Sequence, residues 1–402
     1  MQLAVIPQVY WRRDAAVESD ELRKRLAAVV DATVLDWLDP ERIDALAEDL
    51  RVVRRRRLHH FGLIVCSLVL SALERGADTR GRWLDAQATY RALGGADSGE
   101  TSFREQVQKS LPVLRELLAR RLRQIVAASG AELGGRLSRF ADVLVPDGCA
   151  FKLAAALSGV HPGTGNASEL KLHAVYSVRA AGPCSLRMTA GNVQDSQVLD
   201  TRWQKDVLYI WDLAFDSRRR FFEAAQAGAH VLQRLRGDAN PLIVARYDVA
   251  PSTRLLARGD DSLKLRQAVQ SGWLPKATTL DLDVQMRDPQ DRRCCYVARV
   301  VRVRFGSEDR FYLTTLPRET FTAYDVAELY RMRWEVERLF REWKGTVHVD
   351  DVRSLRNDAS MQVAVYASLL AALFARDVHR DLERACRQSC DDDPLPVDAT
   401  SP

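Results

Sequence analysis

Cysteine is scarce in this chain of 402 residues, at seven: Cys66, Cys149, Cys184, Cys294, Cys295, Cys386 and Cys390. So few thiols at such irregular spacing do not make a disulfide framework, and they suit a reducing cytoplasm. No Cys-x-x-Cys pair occurs, Cys386 and Cys390 have only His379 nearby, and the adjacent His59 and His60 stand far from any cysteine pair. Structural zinc is therefore not expected. Long apolar runs are missing too. The two longest, around Phe61 to Ala72 and Met361 to Ala375, fall short of the roughly 18 to 20 residues that span a bilayer. Both are expected to be buried helices, with no membrane involved. The opening MQLAVIPQVYWRRDAAVESDEL lacks the ordered basic, apolar and small-residue regions of a secretory signal, so export is not expected. A dinucleotide fingerprint is absent as well: Gly163-Thr164-Gly165 has no third glycine or following helix at the required spacing and is expected to be a turn.

Nor does one sign of charge dominate, since a net charge of +5 is compatible with a polyanionic partner without demanding one. The basic residues are clustered, however. Arg54 to Arg57 form a run of four, and Arg115, Arg120, Arg121 and Arg123 crowd one helical stretch. Such clusters suit phosphate backbones, although a solvated helix face is the plainer reading.

What the chain does have is an ordinary globular composition, 47% hydrophobic and 28% charged, at a length that predicts two or three domains. From Ala15 to about Leu133, apolar residues recur at three- and four-residue spacing, which predicts a helical N-terminal domain. In TSFREQVQKSLPVLRELLARRLRQIV, Ser102 is a candidate N-cap, and Phe103, Val107, Leu111, Leu114 and Leu118 would line one buried stripe. The texture changes near Ala141. ADVLVPDG reads as a strand running into a turn, followed by the strands ELKLHAVYSV and CSLRMTAG, a helical DSQVLDTRWQKD, the strand VLYIWD, a helix through SRRRFFEAAQAG and the strand HVLQRL. A meander followed by alternating helix and strand predicts a mixed α/β layer fold. From about Asn240 to Arg318, TTLDLDVQMRD, CCYVARVVRVRF and DRFYLTTLP alternate as strands do, before helical patterning resumes at TAYDVAELYRMRWEVERLFREWKG. The acidic, proline-containing end SCDDDPLPVDATSP reads as a frayed tail.

The segment YRMRWEVERLFREWK is the most informative. At about 100° per residue, Leu329, Met332, Val336, Leu339 and Trp343 share one face, while Tyr330, Arg333, Glu337 and Lys344 fall together on the neighbouring one. A cationic face with one carboxylate near its middle could grip phosphates while the acid holds a metal. The plainer alternative is an amphipathic surface helix laced with ion pairs.

The offsets Tyr330-x2-Arg333-x3-Glu337-x6-Lys344 resemble the YREK signature of insertion-sequence-4 family transposases, complete at all four positions. The resemblance extends from roughly Val143 to Ala375. VLVPDGCAFKLAAAL is similar to the family's first-carboxylate strand and implies Asp147 as the first acid; VLYIWDLAFDSRRRFFEAAQAG is similar to the second and implies Asp212, with Phe215 as the family-type aromatic. Asp142 and Asp216 compete with these. Asp147 and Asp212 are preferred because each directly follows apolar strand residues. Two departures from the family pattern concern the support around the acids: Gly148-Cys149 after Asp147, and Leu213-Ala214 after Asp212.

The resemblance implies a ribonuclease-H-like catalytic core, a mixed sheet flanked by helices, interrupted by a β-rich insertion and preceded by a helical DNA-binding domain. The expected boundaries are 1–140 for that domain, 141–239 and 319–378 for the two parts of the core, 240–318 for the insertion and 379–402 for the tail. It further implies cut-and-paste DNA transposition by phosphoryl transfer. Asp147, Asp212 and Glu337 would hold two Mg2+ ions, for which Mn2+ can substitute, and Tyr330, Arg333, Lys344 and, more weakly, Arg234 would contact phosphates. The implied partners are double-stranded DNA, both terminal inverted repeats and target, and a second copy of the chain in a synaptic complex. Trp273 and Tyr296 are candidates for stacking on a flipped base, although packing explains such aromatics more simply. Two readings stand beside transposition: a nuclease of the same fold without strand transfer, and a non-catalytic DNA-binding protein of transposase descent.

Overall fold

The computed structural model describes residues 20–53, 60–73, 79–97, 99–128, 132–165, 167–198, 202–215, 217–247, 254–256, 263–271, 274, 279–287, 295–306 and 308–392. The Arg54 to Arg57 run, Trp273 and Asp216 lie outside them.

Six helices come first: α1 (Asp20–Trp37), α2 (Pro40–Asp49), α3 (Phe61–Ser71), α4 (Thr79–Ala92), α5 (Glu100–Lys109) and α6 (Leu111–Ala128). The stretch predicted as one helix capped by Ser102 is two. Its N-cap is Gly99, and the chain breaks at Ser110. Pro112 explains the break, because it lacks an amide hydrogen and its ring would clash with a carbonyl one turn earlier, so it is tolerated only in the first turn of α6. The predicted stripe still packs inward, with Phe103, Val107, Leu114 and Leu118 buried and Leu111 partly so.

The sheet elements follow as β1 (Asp142–Lys152), β2 (Glu169–Ser177), β3 (Gly182–Ala190), the short α7 (Asp195–Val198), β4 (Val207–Trp211), α8 (Arg218–Gln226), β5 (His230–Arg234), β6 (Leu242–Tyr247), β7 (Arg254–Leu256), α9 (Leu265–Gln270), β8 (Thr279–Arg287), β9 (Cys295–Phe305) and β10 (Glu308–Thr314). The ten strands form one mixed sheet in the order β3-β2-β1-β4-β5-β10-β9-β8-β6-β7. Only β1–β4 and β4–β5 are parallel; the other neighbours are antiparallel. The strands of the 240–318 stretch thus continue the sheet through β10, which pairs with β5.

Three helices complete the described chain: α10 (Ala323–Arg331), α11 (Trp334–Thr346) and α12 (Asp358–Asp392). Helix α12 runs well into the residues expected to be tail, where ion pairs one turn apart, such as Arg380 with Asp377 and Arg384 with Asp381, support it. It is also longer than its apolar run. By length and composition Asp358–Arg387 could cross a membrane, yet 72% of its most apolar window is buried inside the protein.

Both faces of the sheet are covered, and the strand β4 shows why it is apolar throughout. Leu208 and Ile210 point into a large core shared with α2–α6 and α10–α12, while Val207, Tyr209 and Trp211 point into a second core shared with α8 and α9. Strand β8 obeys the same period. Leu280, Leu282, Val284 and Met286 enter the second core, and the alternate residues Asp281 and Asp283 face the other way.

Those acids anchor the route to α10. Arg299 on β9 grips Asp281 at 2.7 to 3.1 Å and donates to the carbonyls of Leu316 and Phe321 at 3.0 and 2.8 Å. Arg318 pairs with Asp281 and Asp283 and lies 3.6 Å over the Tyr247 ring. The segment entering α10 is therefore tied to β8 and β9. Thr322 and Asp325 then cap α10 reciprocally.

Among the arginines of α6 only Arg121 is drawn inward, while Arg115, Arg120 and Arg123 stay on an exposed face. Arg121 stacks on Trp37 and pairs with Asp36 and Asp377, and Arg120 and Arg123 both pair with Glu116.

Candidate active site

Asp147 does not sit at a strand end as expected. Strand β1 continues through Gly148, and its ladder with β2 runs unbroken from Leu144 to Lys152. On its other side β1 pairs in parallel with β4 only as far as Leu144 with Tyr209. Three residues further on each strand are Asp147 and Asp212, so the parallel register itself brings the two acids level. Asp212 stands just past the end of β4, followed by the buried Phe215.

Helix α11 packs over β1 from the first core, with Val336, Leu339 and Trp343 buried. The segment predicted as one helix is two, since α10 ends at Arg331 and α11 starts at Trp334. No proline or glycine forces the break. The chain tightens to three-residue hydrogen bonds: the amides of Met332, Arg333 and Glu335 donate to the carbonyls of Leu329, Tyr330 and Met332 at 3.0, 3.1 and 3.0 Å. Residue periodicity cannot reveal such a turn, because one tight turn barely changes the pattern.

At that turn Arg333 reaches all three acids. Its guanidinium lies 3.8 Å from Asp147, 3.9 Å from Asp212 and in direct contact with Glu337. Tyr330 donates its hydroxyl to Asp212 at 3.5 Å and packs on Tyr312 with ring centroids 5.0 Å apart. Four of the residues singled out from the sequence, Asp147, Asp212, Glu337 and Tyr330, thus gather around one cation, Arg333.

Lys344 and Arg234 flank this group. Lys344 lies along β1 beyond the acids, beside the Cys149 thiol and 5.7 Å from the Phe151 ring centre. Arg234, at the end of β5, is 3.5 Å from Glu308, and its charge bears on Tyr330 and Tyr312. Tyr296 is held elsewhere: it stacks on Phe221 and Phe222 and donates to the Arg218 carbonyl at 3.0 Å, so it is a packing residue. Asp142, the competitor of Asp147, sits at the far end of β1, where Ser177 and the Arg179 amide donate to it.

The electrostatics are those of a crowded carboxylate site. Burial pushes the Asp147 carboxyl up to about 6, against the Gly148 amide and Arg333, with the charges of Asp212 and Asp195 adding to the rise. Burial raises the Tyr330 phenol, and Asp212 adds to it. Burial works to lower Arg333 but is outweighed by Asp212, Tyr330 and Glu337, which keep it charged. Burial lifts the Cys149 thiol, and Lys344 partly offsets this.

Three carboxylates against one guanidinium leave a local excess of negative charge on oxygen-only donors, which is the donor chemistry hard divalent cations require. Among the described residues no three ligating side chains already stand at cage spacing, and Arg333 lies among the acids. The residues fit such ions in kind and in charge, with Arg333 as the group that must yield.

Sequence reasoning missed Asp195. Its carboxylate accepts from Lys171 at 2.6 Å and lies 2.9 Å from Nδ1 of His173, and it lines, together with Asp147, a cleft of about 510 Å³ that also includes Arg187 and Trp203. The only signal available was the stretch GNVQDSQVL that follows β3.

The model of the transposase DDE domain matches residues 154–374. The transposase of insertion sequence IS421 from Escherichia coli is 35% identical over 66 residues, which cover 16% of this chain and 18% of that protein. The transposase of IS231F from Bacillus thuringiensis subsp. israelensis is 19% identical over 368 residues, 83% of this chain and 76% of that one. A solved piggyBac transposase synaptic complex with hairpin DNA overlaps 92% of this chain and 80% of that one at 9% identity and a TM-score of 0.38, too loose a likeness to carry weight. The family match takes in more than half of the chain, and the chain belongs to the family of transposases with a DDE domain.

Proposed function

We propose that the chain is a cut-and-paste DNA transposase of the insertion-sequence-4 group, acting on DNA at Asp147, Asp212 and Glu337. The observation that carries this reading is the meeting of three carboxylates, from β1, the end of β4 and α11, around the single guanidinium of Arg333. On this reading β1–β5 and α10–α12 are a ribonuclease-H-like core, 240–318 is an insertion that extends its sheet, and the helices before 140 contact DNA. Family membership implies divalent metal, and the oxygen-only donor set favours two Mg2+ ions, with Mn2+ as a substitute. When bound, such ions make a hydroxyl nucleophilic at neutral pH and neutralise the leaving oxygen.

The chain's own groups do the rest. Asp147 and Asp212, fixed by the sheet, and Glu337, fixed by α11, would hold the ions. With the carboxylates engaged by metal, the Arg333 guanidinium would be free to orient the scissile phosphate, a group its planar fork suits. Tyr330, Lys344 and Arg234 hold the neighbouring phosphates, so that a cut end stays in place for the next step. That retention favours strand transfer over simple hydrolysis: nicking, attack of the freed 3′ hydroxyl to make a hairpin, hairpin opening, and joining of the 3′ ends to target DNA. Two copies pairing two ends in a synaptic complex, in the cytoplasm at the nucleoid, complete the reading.

The test is a linear duplex carrying the element's terminal inverted repeats. Mg2+-dependent nicks followed by hairpins are expected, and Asp147→Ala, Asp212→Ala and Glu337→Ala should each abolish both. Nicks that never become hairpins or joined products would point to a nuclease instead, and full activity in any of the three variants would remove that residue from the site.

A further inference from the structure

We propose that Lys171, Asp195 and His173 form a positioning clamp that presses on the backbone of β1 at Gly148 and so fixes the direction in which Asp147 presents its carboxylate. The proposal rests on the catalytic reading of Asp147 given above. Gly148 is the residue after the acid, and a side chain there would have to displace the clamp: a Cβ would stand 1.9 Å from Oδ1 of Asp195 and 2.9 Å from Cε of Lys171. Its φ is not in the left-handed region, so conformation does not demand glycine here. Close approach does.

The approaching carboxylate is held from one strand, and a second strand backs the hold. Lys171 and His173 both lie on β2, whose register sets His173 opposite Gly148 and Ala174 opposite Asp147. Lys171 donates to Asp195 at 2.6 Å, His173 lies 2.9 Å from it, and the far nitrogen of the buried His173 ring is 2.8 Å from the hydroxyl of Thr189 on β3. Burial opposes the charge on Asp195, but the hydrogen bonds from His173 and Lys171 outweigh it and keep the carboxyl below its ordinary range. Asp195 is thus paired with Lys171 and His173, and it reaches β1 at Gly148 from within the cleft it shares with Asp147. On the other side of Gly148, its amide donates to the Asp147 carboxylate at 2.8 Å. A shift of this one peptide turns the catalytic acid directly.

The experiment is a double-mutant cycle in the full-length chain with Gly148→Ala and Asp195→Ala, read in two ways. In thermal unfolding without metal, Gly148→Ala alone should lower the midpoint by about 5 °C through overpacking. With Asp195→Ala already present, the same change should cost nothing or raise the midpoint, because alanine suits a strand better than glycine. In Mg2+-dependent nicking, each single change should lower kcat by about 100-fold with KM for DNA unchanged, as expected for a misplaced reacting group, and the two losses should not multiply in the double variant. An equal thermal cost of Gly148→Ala in both backgrounds would overturn the clamp. So would wild-type kcat in Asp195→Ala. Wild-type protein that fails to nick at all would overturn the catalytic reading on which the clamp depends, a result distinct from either of these.

Discussion

Burial holds the Asp147 carboxyl at about 6, well above the ordinary aspartate range, and this gives the residue a stability signature. The folded state holds the proton more tightly than the unfolded chain does. Below about pH 4 both states are protonated and nothing is lost; between about 4 and 6 the unfolded chain ionises first and the fold loses stability; above about 6 the full cost, on the order of 2 to 3 kcal/mol, is present. Asp147→Asn should therefore match the wild type near pH 4 in metal-free urea titrations and exceed it increasingly up to pH 7. A difference that stays flat with pH would contradict this. Arg333→Lys should cost about 100-fold in nicking rate at saturating DNA, because a point charge cannot reproduce the planar fork that would orient the scissile phosphate; an unchanged rate would leave the guanidinium without a catalytic part. Tyr330, Arg333 and Glu337 were legible because fixed offsets in one segment carry them, whereas Asp147 and Asp212 were reached only through the family resemblance of the strands they follow. Lys171, His173 and Asp195 were not, since contacts made across strands leave no local spacing to read.

Among the elements, the predicted strands β2 to β5 and β8 to β10 all form, because alternation and β-branched residues record burial on two faces directly. Breaks in helices were harder to read. Pro112 splits α5 from α6 by a rule available in the sequence, whereas the turn at Met332 and Arg333 has no breaker residue and coincides with the ion pairs Arg333 makes to distant acids. The Arg299 network was likewise invisible, although it ties β8 and β9 to the segment that enters α10. Its prediction is thermodynamic. Arg299→Met leaves Asp281 nearly buried with only Arg318 as partner, and should cost about 3 kcal/mol in urea unfolding. A cost below about 1 kcal/mol would show that this network does not hold α10 in place.

For the whole molecule, the decisive feature is that one core runs from Trp37 through β1 and β2 to Phe374, joining the N-terminal helices to the sheet through α12. Trp37 donates to Asp377 at 3.1 Å and Arg121 pairs with the same acid, so α1, α6 and α12 share a buried junction. Helices and sheet should unfold together, with far-ultraviolet dichroism and tryptophan fluorescence giving coincident transitions; separate midpoints would mean that the helical region is an independent unit. Over this frame the sheet register brings Asp147 level with Asp212, and α11 brings Glu337 onto both. The most direct test of the account is anomalous scattering from crystals of the protein grown with Mn2+. The account predicts manganese peaks bounded by Asp147, Asp212 and Glu337, with the Arg333 side chain displaced. Manganese bound only at other sites, with Arg333 still between the three acids, would contradict it.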